Sequence, residues 1–311
     1  MMKEKNSETK QKSLRLDGVY PPLPTPFDEN GQVVPEALKK NLDFLNRFDL
    51  RGFVVLGTNG EYVMLSEKEK LLVLETARAV IPADKLMIAG TGGQSTAGAI
   101  DLTKKAAEIG ADAALIITPS YYKSQMTPAA LVHHYQAVAD SSPIPILVYN
   151  MPAATGVDIE ADPVVMLARH PNIIGVKDSS GNVVKIGDIY RQVKKEGLDF
   201  QILAGSAGFF LPALSVGCVG GVFALANIAP AQCIAIHRFF LEGKLQEARD
   251  LQVRMIPVNA AVTARWSVPG LKAAMDSLGI YGGPVREPLL SLPDETRKLL
   301  ESILLEGGIK K

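Results

Sequence analysis

The sequence has 311 residues, 47% hydrophobic and 21% charged, with 33 basic side chains against 33 acidic ones. That balance gives no bulk attraction to nucleic acid, and no run of about 18 apolar residues offers a membrane span. Two cysteines, Cys218 and Cys233, make no disulfide framework and read as buried thiols of a protein kept in a reducing, cytoplasmic compartment.

The opening stretch, "MMKEKNSETKQKS", is polar and charged and lacks the apolar centre of a signal peptide, so residues 1–13 read as a flexible tail. Beyond it, short apolar runs alternate with helical patterns. The runs are Gly18–Pro24, Gly52–Gly57, Lys85–Gly90, Ala113–Thr118, Ile144–Tyr149, Ile173–Lys177, Phe200–Gly205 and Gly220–Leu225. Most are apolar throughout rather than alternating, as expected of parallel strands covered on both faces.

Helix signals fill the gaps. Ser66 with Glu69 forms a capping box ahead of a helix running through Ala79. Thr127-Pro128 and Asp162-Pro163 each set a cap residue before a proline at the first helical position. Further helices are expected after Ser95, Val183, Gly208 and Pro230. Eight strands alternating with about eight helices predict a (β/α)8 barrel over residues 14–241. A doubly wound sheet is the alternative, but no G-x-G-x-x-G follows the first strand. After Glu242 the strands stop. "LQEARDLQVRM", "PGLKAAMDSLG" and "DETRKLLESILL" predict a helical C-terminal domain over residues 242–311.

A barrel carries its active site at the C-terminal ends of its strands. The residues just past each run therefore form one ring: "GTNGE", "GTGGQS", "TPSYY", "YNMPAATG", "KDSSG", "GSAG" and "ALAN". Lys177 is the only lysine in that ring. Desolvation disfavours an ammonium, which frees a buried amine to attack a carbonyl. Strand context alone favours the plainer fate, an ion pair with neighbouring Asp178. Tyr149 ends its own strand, as a proton shuttle or as a core tyrosine with a satisfied hydroxyl. Thr58 and Asn59 sit in a glycine-flanked turn whose N–H groups and hydroxyl suit a carboxylate, unless it is merely a tight turn. Glu61 reads as orienting that loop. His133 and His134 are adjacent on a predicted helix, point apart and make poor metal ligands.

Taken in order, "GTNGE", "TPSYY", "YNMPAATG", "IIGVKDSSG", "LAGSAGF" and "GGVFALAN" resemble the dihydrodipicolinate synthase/N-acetylneuraminate lyase family over residues 16–300. The resemblance implies a (β/α)8 barrel with a C-terminal helical part, a homotetramer built of dimers, and class I aldolase chemistry with neither metal nor organic cofactor. It implies that Lys177 forms the imine with pyruvate and that Tyr149 transfers protons. Thr58 then links Tyr149 to a second tyrosine donated across a subunit interface, which Tyr121 matches, with Tyr122 the competitor if the loop shifts by one. Asn59 helps hold the pyruvate carboxylate through its N–H, and the carbonyl of Val222 faces the keto acid. Ser179, Gly205 and Ser206 line the same mouth.

Two departures bear on substrate. Asn59 stands where the family usually has the second hydroxyl of a pair. Ala154 stands where the dihydrodipicolinate synthases usually carry an arginine that clamps the carboxylate of aspartate semialdehyde. Ala154 thus argues against dihydrodipicolinate synthesis, while Asn59, "LAGSAGF", "GGVFALAN" and "KAAMDSLGIYGGPVREPL" are similar to the 4-hydroxy-2-oxoglutarate aldolase branch, which yields pyruvate and glyoxylate. Dihydrodipicolinate synthesis and 2-keto-3-deoxy sugar-acid cleavage are the alternatives. A non-catalytic keto-acid-binding barrel is disfavoured, because Lys177, Tyr149, Thr58 and Tyr121 occur together.

Overall fold

The continuous apolar runs become strands whose two faces meet two different cores. The structure, a computed structural model, describes residues 14–310; the expected tail lies outside the described residues. The strands are β1 Gly18–Tyr20, β2 Gly52–Val55, β3 Leu86–Gly90, β4 Ala113–Ile117, β5 Ile146–Asn150, β6 Ile173–Asp178, β7 Gln201–Ala204 and β8 Gly220–Val222. From β2 to β8 each strand pairs in parallel with the next, and β8 pairs with β1. A parallel bridge from Pro22 to Val54 joins β1 to β2 and closes the barrel.

Side chains alternate along a strand, so one residue set fills the barrel and the next meets the helices. Tyr20, Val54, Ile88, Leu115, Leu147 and Leu203 pack inside. Phe53, Met87, Ala114, Ile116, Val148 and Val176 pack outward. This is the (β/α)8 fold expected from the sequence.

The helices start where their caps say, with one exception. Ser66 and Glu69 make both halves of the capping box, and Thr127 accepts from the Ala130 N–H at 3.3 Å. The helix expected to start at Pro163 instead spans Ala161–Ala168. Its third position tolerates proline because the first four N–H groups of a helix have no internal partner. The C-terminal helices are Leu245–Ala260, Ser267–Ser277 and Asp294–Glu306, with a π-helical turn, Ala261–Arg265, after the first. No helix among the described residues is long and apolar enough to cross a membrane.

Candidate active site

Adjacent strands with matched register bring Lys177 and Tyr149 together: the two are paired residues of β6 and β5. Gly175 and Lys177 share the inner face of β6, whereas Val176 and Asp178 face outward. Lys177 is 3% exposed, and its Nζ lies 3.8 Å from the centre of the Tyr149 ring. The ion pair expected between Lys177 and Asp178 is not formed, because consecutive strand residues point to opposite faces. Asp178 instead meets Lys185 of the helix Val183–Lys195 at 3.2 Å and accepts a bond from Asn150 Nδ2 at 2.8 Å. Lys185 also reaches Asp158 at 2.5 Å. The acid next to the lysine is thus spent elsewhere.

Burial alone would raise the Tyr149 phenol. The Lys177 charge opposes it, followed by the Thr58 bond and the nearby Lys177 and Ser179 groups, and the net shift is below the ordinary tyrosine value. Thr58 Oγ1 and Tyr149 Oη share a hydrogen bond of 3.1 Å. Among the described residues Ser179 Oγ is buried with no hydrogen bond of normal geometry, yet it lies near enough to Tyr149 to favour the ionised phenol. Tyr62 moves the other way: burial first, then the proximity of Tyr149, push it up to about 12. Two phenols with opposed shifts mark the one suited to give and take a proton.

Thr58, Asn59 and Gly60 form one turn of 3₁₀ helix. Within it the Gly60 and Glu61 N–H groups are used by the carbonyls of Gly57 and Thr58. The turn is flanked by two side-chain-bearing residues in the left-handed region, Leu56 at φ 61° and Glu61 at φ 53°. Such backbone costs about 1–3 kcal/mol per residue and persists only where its surroundings enforce it.

A cavity of about 410 Å³ opens above these groups. Thr58, Asn59, Tyr149, Lys177, Ser179, Gly205, Ser206 and Val222 all line it, so the structure brings eight of the nine expected residues to one mouth. Gly205 must be glycine there, since a Cβ would sit 1.9 Å from Ser179 Oγ. Ala154 lines the rim, and Lys177 is the single cation of the wall among the described residues. Tyr121 is the exception. It is 78% exposed and stacks edge-on against Tyr122 at 5.0 Å. Its N–H and that of Ser120 both donate to Gln94 Oε1 at 2.8 Å. His134 is buried, bonded to Thr96 Oγ1 at 2.9 Å and pushed down to about 4, first by burial and then by His133, so it serves helix packing.

Sequence reasoning missed the far wall. Val262, Thr263 and Ala264 of the π-helical turn, with Ser267 and Val268, close the cavity. Asn259 joins them to the barrel by donating to Ser206 Oγ at 3.1 Å. The signal was the broken helical pattern in "NAAVTARWSVPG", which marks a turn rather than where it docks.

The comparisons with known proteins give the family. A model described as the dihydrodipicolinate synthetase family matches residues 15–306. The chain belongs to that family. As a member it is an enzyme, a lyase on a (β/α)8 barrel. It is 36% identical over 287 residues to a 4-hydroxy-tetrahydrodipicolinate synthase from Methanothrix thermoacetophila, covering 92% of this chain and 95% of the relative. It is 35% identical over 297 residues to a probable mitochondrial 4-hydroxy-2-oxoglutarate aldolase from Emericella nidulans, covering 94% and 95%. A solved structure of the Acinetobacter baumannii dihydrodipicolinate synthase in complex with pyruvate superposes with a TM-score of 0.89 at 30% identity, covering 95% and 100%. Among these relatives synthases outnumber the aldolase, so the names run toward the alternative rather than toward the branch the sequence motifs suggested.

Proposed function

We propose that this family member is a Schiff-base lyase that makes or breaks a C–C bond between pyruvate and an aldehyde. One observation carries it: a buried lysine, with no acid paired to it among the described residues, lies against a phenol at the floor of a cavity lined by hydroxyls and glycines. In this reading the Lys177 amine attacks C2 of pyruvate and water leaves, giving an iminium. Loss of a C3 proton yields the enamine, whose C3 bonds to the aldehyde carbon; cleavage runs the same steps backwards. Tyr149 gives and takes the protons, with Thr58 as its relay. The Thr58-Asn59 turn fixes the carboxylate and so orients the reacting bonds. The covalent imine does the work for which other lyases need a cofactor. A cytoplasmic enzyme, active as an oligomer that shares Tyr121 between subunits, is part of the proposal.

For the aldehyde, the relatives favour aspartate semialdehyde, the 4-hydroxy-tetrahydrodipicolinate synthase reading. A second reading, 4-hydroxy-2-oxoglutarate cleavage to pyruvate and glyoxylate, is kept by Ala154, which offers no bidentate clamp for a longer acid.

Borohydride reduction with pyruvate tests the core of the proposal. A pyruvyl adduct on Lys177, absent from Lys177→Ala, is expected; no adduct, or one on the variant, overturns it. Turnover of pyruvate with aspartate semialdehyde, glyoxylate, glyceraldehyde and N-acetylmannosamine then separates the readings.

A further inference from the structure

An ion pair lies buried just beyond the Thr58 turn. Glu61 Oε1 and Lys272 Nζ are 2.6 Å apart, and both side chains are sealed from solvent. The other carboxylate oxygen accepts from the Arg286 N–H at 2.8 Å, and Lys272 also donates to the Pro284 carbonyl at 2.8 Å. Lys272 and Arg286 both lie over the Phe27 ring, 4.4 and 4.3 Å from its centre. Arg286 continues the clasp onto the chain leaving the turn, donating to the Met64 carbonyl at 3.0 Å and to Glu69 at 2.6 Å.

Two circumstances set this pair apart from an ordinary structural one. A buried ion pair is poor value for stability, since apolar residues of the same volume often hold a fold as well. Glu61 also carries the left-handed backbone that ends the Thr58–Gly60 turn, and its N–H bonds back to the Thr58 carbonyl at 3.1 Å. Lys272 lies on the helix Ser267–Ser277, whose first residues, Ser267 and Val268, form the far wall of the cavity. One ion pair therefore ties the turn on one side of the cavity to the wall on the other.

We propose that Glu61 and Lys272 are positioning residues that hold the Thr58-Asn59 turn at the geometry needed to bind the pyruvate carboxylate. This rests on the pyruvate reading of the site. The pair touches no reacting atom and acts only through the turn. Loss of it lets Glu61 relax from its left-handed conformation and swings the Thr58 and Asn59 N–H groups away from the substrate.

The test is the double variant Glu61→Gln/Lys272→Met, which leaves no uncompensated buried charge. Borohydride trapping on the unaltered enzyme comes first; failure to trap pyruvate there defeats the pyruvate reading and not the positioning argument. Given trapping, the double variant is expected to melt at the wild-type temperature while its KM for pyruvate rises about tenfold. Saturating pyruvate should restore full labelling of Lys177. A KM within threefold of wild type in a folded double variant overturns the proposal. So does labelling that falls at every pyruvate concentration in step with unfolded protein. Should the double variant not fold, Glu61→Asp, which keeps the charge opposite Lys272 and only shortens the tie, is read by the same criteria.

Discussion

At the scale of single residues, Tyr149 is the group whose environment says most. Its phenol lies below the ordinary tyrosine value because Lys177, Thr58 and Ser179 outweigh the effect of burial. Each of those contacts favours the ionised oxygen, so removing one must move the titration upward. Thr58→Val deletes the 3.1 Å bond and little volume. The rising alkaline limb of kcat should shift to higher pH in that variant. Tyr149→Phe should abolish the limb and cost about 10²–10⁴-fold in kcat. A limb that stays in place in Thr58→Val would dissociate the hydroxyl from the proton relay. Lys177 was conspicuous in the sequence as the one charge ending an apolar run. The fate of Asp178 was not, because it depends on Lys185, a helix residue whose register relative to β6 no local pattern reveals.

At the scale of elements, the β6–helix unit is held by that same acid. Asp178 and Lys185 are both nearly inaccessible, and Asp158 and Asn150 complete the cluster. Lys185→Met leaves Asp178 as a buried charge with only neutral donors. It should lower unfolding free energy by about 3–5 kcal/mol in urea titration, a much larger cost than a surface ion pair such as Arg191–Asp188 could produce. A second contact crosses elements further apart. Glu69 of the helix Glu67–Arg78 is lowered to about 2, chiefly by hydrogen bonding to Arg286, with burial opposing and Ser66 assisting. A depressed carboxyl contributes stability that is whole above its unfolded value, near 4.5, and is lost as pH falls toward 2. Arg286→Met should therefore be less stable than wild type at neutral pH, and the difference should shrink on acidification through that window. A difference independent of pH would assign the loss to packing on Phe27 instead. The strands themselves were plain in the sequence, since a strand buried on both faces leaves an unbroken apolar run. The wall from Val262 to Val268 was not, because a broken helical pattern announces a turn without saying which cavity it closes.

At the scale of the whole molecule, one chain holds eight of the nine expected site residues around its cavity and holds Tyr121 outside it. The Tyr121 loop is not loose: Gln94 accepts from two of its N–H groups, and the two exposed rings brace each other. Two large aromatic side chains fixed in solvent suit an interface better than a free surface. If Tyr121 completes a neighbouring subunit's site, two inactive variants must repair one another. Tyr121→Phe keeps Lys177 and lacks the donated phenol; Lys177→Ala keeps the phenol and lacks the nucleophile. In a mixed dimer the chain carrying Tyr121→Phe has its own lysine and receives an intact tyrosine, so one of the two sites is whole. Co-expression at equal levels makes half of the dimers mixed and should restore about a quarter of wild-type activity. Activity no greater than the two parents together would place the tyrosine's role within its own chain or nowhere. Recovery would instead show that the barrel folds its lysine, phenol and turn alone, and that the last proton-relay group comes from association.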